Sequence, residues 1–233
     1  MAAENHRPAK RTKYDFTNDV TVLIGKDEKK FALHKSLICK SSIFFWAAYS
    51  GVWKESKEAT VRLPETETQS FTTYVGWLYT ERVDLLEEPE QKLPWTDKKG
   101  ETLPHRLPLT RRAIDCFALG DMLQDVNFRN AVITELMCIC KMGDTIPSLR
   151  SITCMWEVIP QNSKMVELIA EYWAAECSTK EFDASVDMLP DGFVKMLARV
   201  GIRDKHMASD MRKPSMREKW RYHEHASENE KCK

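Results

Sequence analysis

Phe31-Ala32-Leu33-His34-Lys35-Ser36-Leu37-Ile38-Cys39-Lys40-Ser41-Ser42-Ile43-Phe44-Phe45 is the stretch on which the reading of this chain turns. Phe31 and Leu33 stand two apart, the step that puts side chains on one face of a strand. Beyond the His34-Lys35 pair, Leu37, Ile38, Phe45, Ala48 and Tyr49 fall at spacings compatible with one apolar face of a helix. Gly51 stops that helix. A short strand therefore hands over to an apolar helix through a His-Lys pair.

Upstream, Asp19 opens a second strand in which Val20, Val22 and Ile24 alternate with Thr21 and Leu23, a period of two. Gly25-Lys26-Asp27-Glu28 supplies turn chemistry between the two strands, so a hairpin is expected. Downstream, Val61 and Leu63 mark a third short strand that Pro64 ends. Thr66-Glu67-Thr68-Gln69 fits a capping box, and Phe71, Tyr74, Val75 and Leu78 follow at helical steps.

The rhythm breaks over residues 84–108, which hold Pro89, Pro94, Pro104 and Pro108 with mixed charges. A long loop is expected there, with order returning at Thr110. Ile114, Phe117, Ala118, Met122 and Leu123 then mark one buried helix, and Phe128, Ala131, Val132, Leu136 and Ile139 another. Further helices are expected near 148–158, 164–177 and 191–200, the middle one capped by Ser163. From Arg203 onward the chain is charged and short of aliphatic residues, which predicts a frayed helix or a disordered tail. The fold class is α+β, with strands confined to the first half. The expected organisation is a basic disordered tail at 1–14, a domain at 15–141 carrying the 84–108 insert, a helical extension at 142–203, and a charged tail at 204–233.

Lys+Arg and Asp+Glu both total 35 among 233 residues, so the formal charge is zero. A protein whose main task is gripping phosphates carries a basic surplus, and nucleic-acid binding by the body of the chain is disfavoured. Seven Cys, an odd number with several inside helical patterns, read as reduced thiols of a cytoplasmic or nuclear protein. Residues 1–14 have no apolar run, and no stretch approaches the ~20 apolar residues of a bilayer span, so no membrane partner is expected.

Taken in order, Asp19, Phe31, His34, Lys35, Leu37, Ile38, Ser42 and Phe45 resemble the signature of the BTB/POZ domain, of the kind common in fungal proteins. So do the Leu63-Pro64-Glu65 run, Phe71, the Trp77-Leu78-Tyr79-Thr80 run and Ala118 to Asp121. Two features depart from the pattern: the 84–108 insert is long, and Gly120 stands where a small helix former is usual. Residues 142–203 look similar to the helical extension that follows such domains, on Ser163, Tyr172-Trp173 and Leu189-Pro190. The resemblance implies protein partners: a homodimer or a heterodimer with a related domain, formed through the first helices. It also implies a cullin scaffold of a ubiquitin ligase, bound through a hydrophobic-x-Glu element. Trp53-Lys54-Glu55 occupies that place, with Trp53 as apolar anchor and Glu55 fixing register at the rim; Trp53 packing on its own domain is the competing reading.

No cofactor, metal or catalytic residue is assigned. His34 lacks a nearby nucleophile signature, and Cys138-Ile-Cys140 lies in a helical pattern where positions two apart diverge. His223-Glu-His225 with Cys232 lacks the paired spacing of structural zinc, and no phosphate-binding loop or nucleophile elbow occurs. A transcription or chromatin regulator that contacts DNA through basic ends at 7–13 and 203–221 is the alternative reading; a thiol or metal enzyme is a third.

Overall fold

Val20, Val22 and Ile24 are buried on one side of β1 (Asp19–Ile24), and that alternation fixes its register. A turn closed by the Glu28 amide on the Gly25 carbonyl (3.1 Å) leads into β2 (Lys29–His34). Gly25 and Glu28 both take positive φ there, 74° and 48°. The two strands pair antiparallel, Val22 opposite Phe31 and Val20 opposite Leu33. On its other edge β1 pairs in parallel with β3 (Thr60–Leu63), giving a mixed sheet of order β2-β1-β3. A computed structural model describes residues 17–51, 57–85, 106–141, 147–206, 214 and 218–225. The chain divides into two compact units, 1–65 and 66–233.

In the first unit the expected single helix after β2 is two: α1 (Lys35–Ser41) and α2 (Ile43–Ser50). Ser42 breaks them by taking an extended conformation, φ −114° and ψ 124°. Its amide donates to the Ile38 carbonyl (3.0 Å), ending α1, and its hydroxyl accepts from the Phe45 amide (3.2 Å), starting α2. The family-signature serine is thus a double cap, and the turn it makes lets Ile38, Phe45 and Tyr49 all reach the core with Val61 and Leu63.

The second unit is helical: α3 (Thr68–Thr80), α4 (Arg106–Met122), α5 (Val126–Lys141), α6 (Leu149–Val158), α7 (Lys164–Glu176), α8 (Thr179–Ser185) and α9 (Asp191–Asp204), with a 3₁₀ turn at Lys219–Tyr222. Its centre is aromatic. Tyr74 meets Phe128 edge-on at 4.9 Å and Trp77 lies 5.2 Å from the same ring. The Tyr74 hydroxyl donates to Asp125 (3.0 Å), whose other oxygen caps α5 at the Phe128 amide (3.0 Å). Gly120 is explained by the same junction: a Cβ there would lie 2.9 Å from Arg129 Cγ and 3.0 Å from the Phe128 ring. The departure from the family pattern lets α5 pack close on α4.

Three expectations change in this unit. The predicted Thr66–Gln69 box does not cap α3; its N-cap is Glu67, which makes no side-chain cap bond. A capping box forms instead at Ser178 and Glu181, starting α8, a helix that apolar periodicity does not reveal. Order resumes at Arg106 rather than Thr110, with Pro108 in the first turn of α4, where its missing N–H costs no helical bond. Of the 84–108 stretch, 86–105 lie outside the described residues, while Leu85 is buried and its carbonyl accepts from Arg112 (3.2 Å). The Ser163 cap forms as expected, accepting from the Val166 amide.

Candidate protein-interaction surface

Eight residues of α2, Ile-Phe-Phe-Trp-Ala-Ala-Tyr-Ser, contain one polar side chain. A helix apolar on all sides needs cover on all sides. One side has it: Phe45 and Tyr49, four apart, are fully buried and stack with ring centroids 6.0 Å apart. The Tyr49 hydroxyl donates to the Thr21 carbonyl on β1 (2.8 Å), and burial holds its pKa far above the ordinary tyrosine range. The other side is exposed among the described residues. Ile43 and Trp46, three apart, are 60% and 59% exposed, with Ala47 and Ser50 continuing the same face. Large apolar side chains adjacent on one helix face, rather than scattered singly, make this face a candidate for contact.

The signature residues hold this helix in place. Lys35 donates from Nζ to the Tyr49 carbonyl at the C-terminal end of α2 (2.8 Å), a cation on the negative end of a helix. Its amide donates to Asn18 (2.9 Å), and His34 stands opposite Asp19 at the open end of the hairpin, Nε2 to carboxylate 3.9 Å. Leu37 and Phe31 are half-buried, while Ser42 and Phe45 are buried. In the helical unit Trp77 and Leu78 are buried core and Tyr79 is 46% exposed. Trp53, Lys54 and Glu55 lie outside the described residues.

Neither Ile43 nor Trp46 is marked by a motif, and the expected apolar face of this helix runs through Phe45, Ala48 and Tyr49 instead. A signal is nonetheless present in the sequence: seven apolar residues in a run of eight cannot all face one way.

Residues 10–95 match the family model described as BTB/POZ domain. This chain carries a BTB/POZ domain. Its curated relatives include BTB/POZ domain-containing protein 9 of Bos taurus, Rattus norvegicus and Homo sapiens, each 26% identical over 140 residues. The aligned stretch covers 59% of this chain and 20% of the relative, so the chain matches about a fifth of those proteins' length. A BTB/POZ domain is a protein-interaction domain, and the face of α2 sits within the matched residues.

Among the described residues no group of three or more metal-ligating side chains occurs, and no described helix is long and apolar enough to cross a membrane. Burial pushes the Cys116 thiol up to about 12, far from thiolate at neutral pH. Cys138 is exposed and Cys140 buried, diverging as helix geometry requires. Of the basic ends, 7–13 lie outside the described residues, and Arg203 and Arg221 are turned onto carboxylates of their own unit, Glu171 at 2.7 and 3.3 Å.

Proposed function

We propose that this chain is a non-enzymatic adaptor whose BTB/POZ domain pairs with a second copy, or with a related domain, through the Ile43–Trp46 face of α2, and carries a cullin scaffold through Trp53, Lys54 and Glu55. The exposure of Ile43 and Trp46 on a helix already buried through Phe45 and Tyr49 supports the pairing. Trp is the residue type most enriched at binding hot spots, and a flat apolar pair suits a self-complementary interface related by a two-fold axis. The cullin assignment rests on the order hydrophobic-x-Glu directly after the first apolar helices. In this reading residues 15–141 act as the domain, 142–203 as its helical extension, and the setting is cytoplasmic or nuclear. Cys39, Cys116, Cys138, Cys140, Cys154 and Cys177 form no disulfide among the described residues, which fits a reducing compartment.

Light scattering at tens of micromolar tests the pairing: a particle of twice the 27.1 kDa chain mass is expected, and a strictly monomeric one counts against a homodimer. The scaffold is tested by pull-down of a cullin with wild type and Trp53→Ala. Loss of ~2 kcal/mol or more of binding is expected for a buried anchor; a mutant that binds as well as wild type removes the assignment.

A further inference from the structure

Residues 218–225, Glu-Lys-Trp-Arg-Tyr-His-Glu-His, belong to the stretch expected to be a frayed helix or a disordered tail, yet they lie against α5 and α7. What holds them is polar and specific. Asn130, nearly buried, brackets one residue of extended backbone: Nδ2 donates to the Glu224 carbonyl (2.9 Å) and Oδ1 accepts from the Glu224 amide (2.8 Å). That pairing reads main chain, as an adjoining strand would.

The flanking side chains are read one by one. Arg129 donates from Nη2 to the Glu224 carboxylate, while its Nη1 is held by Asp121 (3.1 Å). Thr134 gives its own proton to the Asn130 carbonyl (3.0 Å), so at 2.9 Å it must accept from His223 Nε2. Glu171, with a fully buried side chain on α7, receives the Tyr222 hydroxyl on one oxygen and Arg221 Nη2 (3.3 Å) on the other. Arg203 of α9 supplies a second guanidinium to that oxygen (2.7 Å). Four consecutive residues, 221 to 224, therefore each meet a dedicated partner.

The Glu171 carboxylate and the Arg129 guanidinium, kept this dry, cost more than apolar side chains of the same size, which would hold a purely structural segment better. Their benefit is selectivity, since a site built to hydrogen-bond a group rejects ligands that lack it. We propose that α5 and α7 form a peptide-recognition cradle for a basic–tyrosine–hydrogen-bond donor–acid sequence, and that this chain fills it with its own residues 221–224 as a displaceable intramolecular ligand. The cradle uses no residue of α2, so it stands or falls apart from the self-association assigned to that helix.

The test uses the full-length chain and a labelled peptide of residues 218–225. In wild type the tethered segment competes at millimolar effective concentration, so the peptide binds roughly tenfold or more weakly than it does to the Tyr222→Ala/Glu224→Ala variant. Adding Asn130→Ala to that variant abolishes binding. Equal binding to wild type and variant, or none to a variant that keeps wild-type helicity and a cooperative melt, overturns the cradle. Hydrogen exchange on wild type decides the matter should the variant fail to fold. The Glu224 amide should exchange well ahead of the α7 amides, and faster still with excess peptide; exchange only with global unfolding makes the segment core and overturns the proposal. A wild-type dimer that the variant abolishes would mean the segment is traded between copies, and overturns the intramolecular assignment.

Discussion

The two units handle surplus surface in opposite ways. In the first, α2 buries Phe45 and Tyr49 and leaves Ile43 and Trp46 to solvent. In the second, α7 carries the Glu171 carboxylate in the interior and closes it with Tyr222 and Arg221 from a segment 50 residues or more downstream. An apolar face left open attracts nearly any partner of suitable shape, and its contacts are non-directional. A polar face closed over accepts only a matching set of donors and acceptors. The contrast teaches that exposure and burial must be judged against side-chain chemistry: the informative sites are the exposed tryptophan and the buried glutamate, each on the wrong side of the usual rule.

Neighbouring residues of α2 break this contrast most sharply. Phe45→Ala removes a fully buried ring and is expected to cost about 3–5 kcal/mol in chemical denaturation. Trp46→Ala, one position on, should change stability by no more than about 0.5 kcal/mol while weakening self-association. A large stability loss at Trp46 would show that its face is covered within the chain.

Glu171→Ala comes next. It leaves Arg203 and Arg221 facing an apolar void, but both guanidiniums remain more than a third exposed, so the expected loss is about 2–3 kcal/mol, short of that for a wholly buried pair. Thermal melts of the variant check it, and a neutral result would deny the carboxylate its clasping role. Ser42→Ala should cost about 1 kcal/mol by removing the α2 cap, read in the same way.

The smallest effect is a pH dependence at α8. Bonds from the Ser178 hydroxyl and amide hold the Glu181 carboxyl below its ordinary value of 4.5. A depressed acid stabilises the folded form above that ordinary value, and the contribution is lost as pH falls through the folded one. Hydrogen exchange of the first α8 turn should accelerate on acidification more in wild type than in Glu181→Gln; identical profiles would remove the capping box as its source.

Elements with strong periodicity are legible in the amino-acid sequence alone. The hairpin, β3, α3, and the helices at α5, α6, α7 and α9 follow from apolar residues at steps of two or of three and four. The break at Ser42 is hidden because the apolar run continues through it, and only the hydroxyl's position three before Phe45 hints at a cap. The cap of α3 is misplaced by spacing because Thr66 and Gln69 have the right separation without the right geometry. Residues 218–225 cannot be read from the sequence, since they show no periodicity and their partners lie 94 residues away at Asn130 and 51 at Glu171. As for the candidate surface, the conspicuous signature members Phe45 and Ser42 build the scaffold of α2, and the exposed pair Ile43 and Trp46 lies between them and beyond.

The mass of the particle in solution tests the α2 face most directly. Sedimentation equilibrium of wild type beside Trp46→Glu, over a concentration series reaching tens of micromolar, should give a two-chain species that reverts to the 27.1 kDa single chain on substitution. A variant that stays folded and associates as strongly as wild type would contradict the account.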